Sequence, residues 1–366
     1  MRISGTLSYY IGRQFLLAFL LLFTLFLFLI FMFDIVELLR RTASKPNVNF
    51  TSVVEMALLK LPYLGQELFP FAVLFGAMSA FWRLTRSNEL VITRAAGVSA
   101  WQFMFPVLIA AFALGVIHVG IVNHFASATL TRFQVLEARH LKGNDNLLAL
   151  SGAGLWLRQS NEQGQSVVHA DQVLQQGQHV ELSNVVVFMY SGTDAFSGRM
   201  NAKKAVLEDG FWRMTDTWVY MPDSSPKFEA EYWLETDLTL NKIQESFAPP
   251  ETMSFWAIPE FITQLEKAGF SAIRHKLRWH TLLAAPFLMC AMVLIAASFT
   301  LRQSRRGATT FVIAGGVLTG FVLYFFSDVV FALGLSDSIP VALAAWTPSG
   351  VATLLGLTTL LHLEDG

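Results

Sequence analysis

Long apolar runs and short alternating ones divide this chain into three stretches. The first apolar run, Phe15 to Phe33, reads FLLAFLLLFTLFLFLIFMF and contains no charge. A hydrocarbon core of about 30 Å needs roughly 20 helical residues, so the run predicts a membrane-spanning helix. It is too long for the apolar region of a signal peptide and no A-x-A site follows, so it is expected to stay as an anchor. Further runs cover Leu61 to Trp82 and Trp101 to Val122. After a polar middle come Thr281 to Leu301, Thr309 to Phe326 (or on to Leu333) and Ile339 to Leu361. The pattern predicts a membrane α-helical fold of six spans, three on each side of the middle.

Between about Gly154 and Thr239 the period changes to two. Short runs such as Leu155-Trp156-Leu157, Val185 to Tyr190, Phe211 to Met214 and Tyr232-Trp233-Leu234 alternate with turn signals, among them Gln176-Gly177, Asp209-Gly210 and Pro222 to Pro226. Short β-branched and aromatic runs at this spacing predict an inserted all-β sandwich or jelly-roll-like domain. Its flanks read as helical: Asn123 to His140 extends the third span, and Phe255 to Trp279, after the Pro249-Pro250 break, leads into the fourth. The expected domains are 1–140, 141–248 and 249–366.

Composition sharpens this picture. Of 366 residues, 54% are hydrophobic and 14% charged, too apolar for a water-soluble chain of this length. A net charge of −1 offers no basic field to a nucleic acid. Cys290 is the single cysteine and lies in an apolar run, which excludes a disulfide framework. The short loops set the orientation. Arg2 and Arg13, then Arg83, Arg86 and Arg94, then Arg302, Arg305 and Arg306 all fall on one face if the spans alternate, and Lys/Arg-rich loops stay cytoplasmic. The loop after the fifth span carries Asp328 and Asp337, and the polar middle lies outside. Arg40, Arg41 and Lys45 break the rule by landing outside.

A search for chemistry returns little. There is no P-loop and no H-E-x-x-H. His275 and His280 are five apart and so on different helix faces, and Gly97-Val98-Ser99-Ala100 lacks the second glycine of a nucleophile elbow. Neither a cofactor nor a metal is expected. Charges near the membrane say more, because a charge there must be paired or wet. Glu67 in the second span reads as a group lining a polar cavity or proton site, as a residue near the outer interface, or as the partner of a basic residue on a neighbouring helix. His118 and Asp328 read as lying near the outer interface. Gly316 and Gly320 form a small-xxx-small motif that serves packing within the subunit or a seam between subunits. The first span is almost wholly Leu and Phe and is expected to face lipid rather than form a tight helix pair.

The loop from Arg83 to Ser99 reads RLTRSNELVITRAAGVS. Leu84, Leu90, Val91 and Ala95 form an apolar stripe on a short helix beside the cytoplasmic face. Ser87 or Asn88 caps it, Glu89 sits in its first turn and Gly97 ends it. Such a helix either rests on the membrane surface or inserts into a groove of a cytoplasmic motor. Asn88 to Gly97 resembles the S-E-[LI]-x-V-x-x-A-x-G signature of the lipopolysaccharide export permeases, the LptF/LptG family. Leu61-Pro62, Phe69-Pro70, Gly76 and the order of three spans, large domain and three spans are also similar to that family. The resemblance covers essentially the whole chain. Glu37 followed by Arg40-Arg41 is more like the LptG branch.

The resemblance implies a permease subunit of an ABC-type exporter in the bacterial inner membrane, with its β domain in the periplasm. ATP would be hydrolysed by a separate subunit, LptB, so the chain itself is not an enzyme. An LptF paralogue would complete a heterodimer and LptC would receive the lipid. Glu89, Leu90, Arg94 and Gly97, in a coupling helix at about 84–97, would couple to the ATPase. Arg40, Arg41 and Lys45 would meet lipopolysaccharide phosphates, while the first span lines the acyl-chain pocket. Asp34 is acidic where such chains can carry a further base. Two other readings are an FtsX- or MacB-type scaffold, which usually places its large domain after the first span, and an integral membrane enzyme. The loop charges make one direct prediction: reporter fusions near Ser191 read outside the cytoplasm and those near Ser87 and Ser304 inside. A cytoplasmic signal from Ser191 would overturn the three-plus-three topology.

Overall fold

The computed structural model describes residues 5–43, 48–95, 97–137, 139, 155–161, 164–176, 179–191, 195–208, 210–222, 224–236, 238–239, 249–267, 271–300 and 309–365. They divide into a helical unit and a sheet unit. The helical unit is built from α1 (Gly5–Thr42), α2 (Phe50–Arg86), α3 (Glu89–Ala95), α4 (Ala100–Ile117) and α5 (Asn123–Glu137), followed by α7 (Ile273–Thr300), α8 (Thr309–Leu335) and α9 (Val341–Asp365). The short helix α6 (Ile258–Lys267) precedes α7. Among the described residues six helices are long and apolar enough to cross a membrane, as the apolar runs predict. A π-turn at His118–Val122 joins α4 to α5, so the third span does continue as helix beyond its apolar run.

The bundle core joins residues of α1, α2, α4 and α7, with Phe15, Phe81, Met104 and Val293 each fully buried. Small residues allow the backbones to approach. A Cβ added at Gly115 of α4 would sit 2.4 Å from the Cα of Pro286 in α7, so no larger residue fits that crossing. The Gly316 and Gly320 motif faces Met78, Leu74 and Phe71 of α2, which places it in packing within the subunit. The expectation for the first span needs correction. Phe19 and Phe23 of α1 meet Phe69 of α2 at ring-centroid distances of 5.3 and 5.1 Å. A Cβ at Gly76 of α2 would come within 2.9 Å of the Phe19 Cα. α1 therefore does form a tight pair, with the small residue supplied by its neighbour. Its other face, including Leu17, Leu21, Phe28 and Phe33, stays exposed.

The sheet unit is a six-stranded antiparallel meander in sequence order: β1 (Leu155–Asn161), β2 (Gly164–Gln176), β3 (His179–Ser191), β4 (Ala195–Glu208), β5 (Phe211–Tyr220) and β6 (Lys227–Glu235). One face buries Leu157, Val168, Leu182, Val187, Met200, Trp212 and Met214 together. The inward register changes phase within single strands. In β3 the buried positions are Val180 and Leu182, then Val185 and Val187. In β5 they are Trp212 and Met214, then Thr217 and Val219. Asn184 (φ 53°) and Asp216 (φ 54°) sit at the change, in the left-handed region that Asn and Asp tolerate better than most residues. One left-handed residue slips the alternation by one position, so both halves of the strand face the same core. The edges are tied as well. Gln159 of β1 donates to the Glu235 carbonyl of β6 at 3.2 Å and accepts from the Thr236 hydroxyl at 2.6 Å. First and last strands thus close around the core although all six belong to one sheet.

Candidate functional site

Two places carry the residues singled out from the sequence, one at each end of the α1–α2 pair by chain direction. The first is the turn between α2 and α4. Ser87 does not cap α3: its hydroxyl donates back to the carbonyls of Arg83 and Leu84, at 3.1 and 3.3 Å, and so closes α2. Asn88 instead holds the reversal itself, with φ 57°, while its carbonyl accepts the first bond of α3 from the Ile92 amide. Gly97 ends α3 as expected. Its φ is +82°, its amide donates to the Arg94 carbonyl, and the Val98 amide reaches back to Thr93. That double bond pattern is a Schellman cap, which calls for a residue without a Cβ penalty. Ser99 and Gln102 then form a reciprocal capping box that starts α4.

This geometry orients α3. Leu84 and Leu90 point into the bundle core, exposed by only 2% and 5%. Ala95, expected on the same apolar stripe, is exposed. Glu89 is half-buried, Arg94 is exposed, and Ile92 leaves 67% of its surface uncovered. The exposed Ile92, on a helix anchored by Leu90, lies outside the apolar stripe expected from the sequence. The side chain of Val91 lies outside the described residues.

The second place is the end of α1. Glu37 accepts from Arg40 through Nε and Nη2, at 2.9 and 3.0 Å, and from Arg41 Nε at 2.8 Å. The Arg40 side chain is 77% exposed and that of Arg41 51%. Both cations also lie in the last turn of α1, where helix carbonyls favour positive charge. Lys45 lies outside the described residues. One turn before this cluster, Asp34 is buried and takes Lys60 Nζ of α2 at 2.5 Å. Lys60 also lies 5.6 Å from the centre of the Phe133 ring. Asp34 therefore has a structural partner, and Lys60 is the residue that sequence reading missed. The available signal was a lysine one position before the second apolar run.

Glu67 lies on the wall of a cavity inside the helical unit, along with Arg278 and Asp328. The Glu67 side chain is exposed and no ion pair to it is present among the described residues. His118 is buried, with its ring 4.8 Å from that of Phe69.

Six candidate spans, an inserted antiparallel sheet and a short capped helix between the second and third spans define a polytopic membrane protein with an inserted β domain. The comparisons identify which kind. Residues 9–362 match the family described as lipopolysaccharide export system permease LptF/LptG, and the chain belongs to that family. Its relatives include the lipopolysaccharide export system permease protein LptG of Escherichia coli strain K12, 23% identical over 98% of both chains. The LptG protein of Escherichia coli O6:H1 is similar to the same extent. The chain is accordingly a multi-pass inner-membrane permease.

The Asp34–Lys60 pair generates a prediction. Removing one member of a buried pair leaves an uncompensated charge and costs about 3–5 kcal/mol, whereas replacing both with apolar residues is often near neutral. Asp34→Asn should lower the thermal midpoint of the purified complex far more than the double variant Asp34→Leu/Lys60→Met. A single variant as mild as the double one would show that the pair is solvated and does not fasten α1 to α2.

Proposed function

We propose that this chain is the LptG-type half of a heterodimeric lipopolysaccharide extractor. It draws lipopolysaccharide from the periplasmic leaflet of the inner membrane, uses ATP hydrolysed on LptB, and passes the lipid to LptC. The match to the permease family over residues 9–362 carries this reading. The Glu37, Arg40 and Arg41 pattern and the two LptG relatives favour LptG over LptF as its paralogue type.

Two surfaces give the reading physical content. Only 11% of the most apolar stretch of α1 is buried, against 67% for α7. An outward Leu/Phe face ending in a guanidinium pair suits a lipid whose acyl chains end in a phosphorylated head group. Arginine recognises phosphate through parallel charge-assisted bonds. Glu37 holds Arg40 and Arg41 with their guanidinium groups side by side, and at this exposure that pairing is loose enough to be exchanged for a phosphate. At the opposite end, Glu89, Leu90, Arg94 and Gly97 form the coupling element. Leu90 anchors α3 to the bundle, Gly97 sets its direction, and Glu89, Ile92 and Arg94 present the contact surface for the ATPase. A short helix with a fixed root and a mixed polar and apolar tip is suited to transmitting a push.

The lipid role is tested by crosslinking lipopolysaccharide to the assembled complex. Arg40→Ala/Arg41→Ala should lower capture by at least roughly tenfold at matched assembly, as expected for loss of two charge-assisted contacts. Lysine at both positions should restore it only partly, because the charge remains while the fork is lost. Capture unchanged by the double alanine variant would return the pair to the role of helix-end charges.

A further inference from the structure

The cavity beside Glu67 has a volume of about 320 Å³ and is walled by α2, the π-turn, α7, α8 and α9, with no residue of α1. That volume falls within the range of about 300–1,000 Å³ typical of small-molecule sites. Chain direction sorts its wall into two zones. At the middle of α2, the start of α7, the later part of α8 and the 3-10 turn Pro250–Thr252, it is lined by Glu67, Arg278, Asp328 and Glu251. Further along the same helices the wall changes to Phe71, Leu288, Met292 and Leu323. The cavity is polar at one end and apolar at the other, the profile of an amphiphile.

Three residues of this wall, Gln66, Arg278 and His118, carry buried polar atoms without a partner among the described residues, His118 at both ring nitrogens. Gln66 is only 4% exposed; its Oε1 accepts from Asn123 Nδ2 at 3.2 Å, while its Nε2 has no hydrogen-bond partner. The Nε of Arg278 is buried and also has none. Buried polar groups are costly unless matched, so these two donors mark a place for an acceptor. The three carboxylates, Glu67, Glu251 and Asp328, outnumber the single guanidinium and mark a place for a cation. One ligand chemistry meets both demands and fills the apolar end: a phosphate beside an ammonium group, carrying a hydrocarbon chain.

We propose that this cavity holds one zwitterionic phospholipid. Its phosphodiester lies on Arg278 and Gln66, its ammonium group faces Glu67, Glu251 and Asp328, and one acyl chain enters between Phe71 and Met292. A guanidinium fits the phosphate as a fork. An anionic phospholipid without the ammonium would bring further negative charge to a wall whose three carboxylates already outnumber its single guanidinium, so the site discriminates between head groups. The site is separate from the outward face of α1 and does not depend on what that face carries.

The test uses the full complex, stripped of lipid in detergent and then equilibrated with vesicles containing equal amounts of phosphatidylethanolamine and phosphatidylglycerol. Bound lipid is counted by native mass spectrometry. The expected result is phosphatidylethanolamine retained over phosphatidylglycerol by about tenfold. Arg278→Gln should remove one bound phosphatidylethanolamine per complex, and Glu67→Gln/Asp328→Asn should erase the preference between head groups. Ser327→Phe fills the polar end without altering a charge and should remove the same lipid, which guards against misfolding of the arginine variant. Equal retention of the two lipids by the wild type would overturn the proposal, as would full retention in both Arg278→Gln and Ser327→Phe. Displacement of the bound lipid one for one by added lipopolysaccharide would also overturn it, by assigning the cavity to cargo.

Discussion

A buried charge must be neutralised or wetted, and this constraint organises the first two helices. Asp34 of α1 and Lys60 of α2 meet that demand for each other. With Phe19 and Phe23 meeting the Phe69 ring at steep angles further along and Gly76 admitting the α1 backbone, the two helices are fastened at several levels. α1 packs on α4 as well, and its outward Leu/Phe face, which is exposed among the described residues, is left for lipid or for a second subunit. The guanidinium pair follows from the same fastening, because Arg40 and Arg41 lie within two turns of Asp34 on the same rod. An apolar face and a cationic end are thus held in fixed relation to each other.

The turn after α2 shows how little sequence is needed to set a rigid element. Asn88 reverses the chain, Gly97 stops the next helix and Ser99 starts the one after, so seven residues of α3 stand between defined ends. A helix this short has no stability of its own. It persists because Leu90 is buried in the bundle and because both of its ends are satisfied by backbone bonds. A contact made at Glu89 or Ile92 is therefore passed to α2 and α4 rather than absorbed by a flexible loop.

Much of the fold was legible in the sequence. Spans of apolar residues and a period-two middle have physical meanings that do not depend on tertiary context, and six membrane-length helices and an inserted β domain follow from them, whereas the arrangement of its six described strands as one meander does not. Gly97 as the end of α3 was legible for the same reason, since a local backbone demand selects the residue. What could not be read were relations between distant residues. Asp34 looked like a misplaced acid until Lys60, twenty-six positions away, supplied its partner. The tight packing of α1 was hidden because the necessary glycine belongs to α2. The change of phase in β3 and β5 was visible as Val180, Leu182, Val185 and Val187, but an alternation that slips by one reads as noise without the left-handed Asn184 that causes it. Ser87 was taken for a cap because short hydroxyl residues serve either the end of one helix or the start of the next, and spacing alone does not choose.

The central claim is that this chain turns ATP hydrolysis on a separate subunit into movement of lipopolysaccharide, with α3 as the mechanical link. The most direct measurement is ATP-dependent release of lipopolysaccharide from proteoliposomes carrying the complete complex to an added periplasmic acceptor. The account predicts release that requires ATP hydrolysis and this chain, and a Glu89→Ala complex that assembles and hydrolyses ATP but releases little lipid. Release that continues without hydrolysis, or that is unaffected by Glu89→Ala, would contradict it.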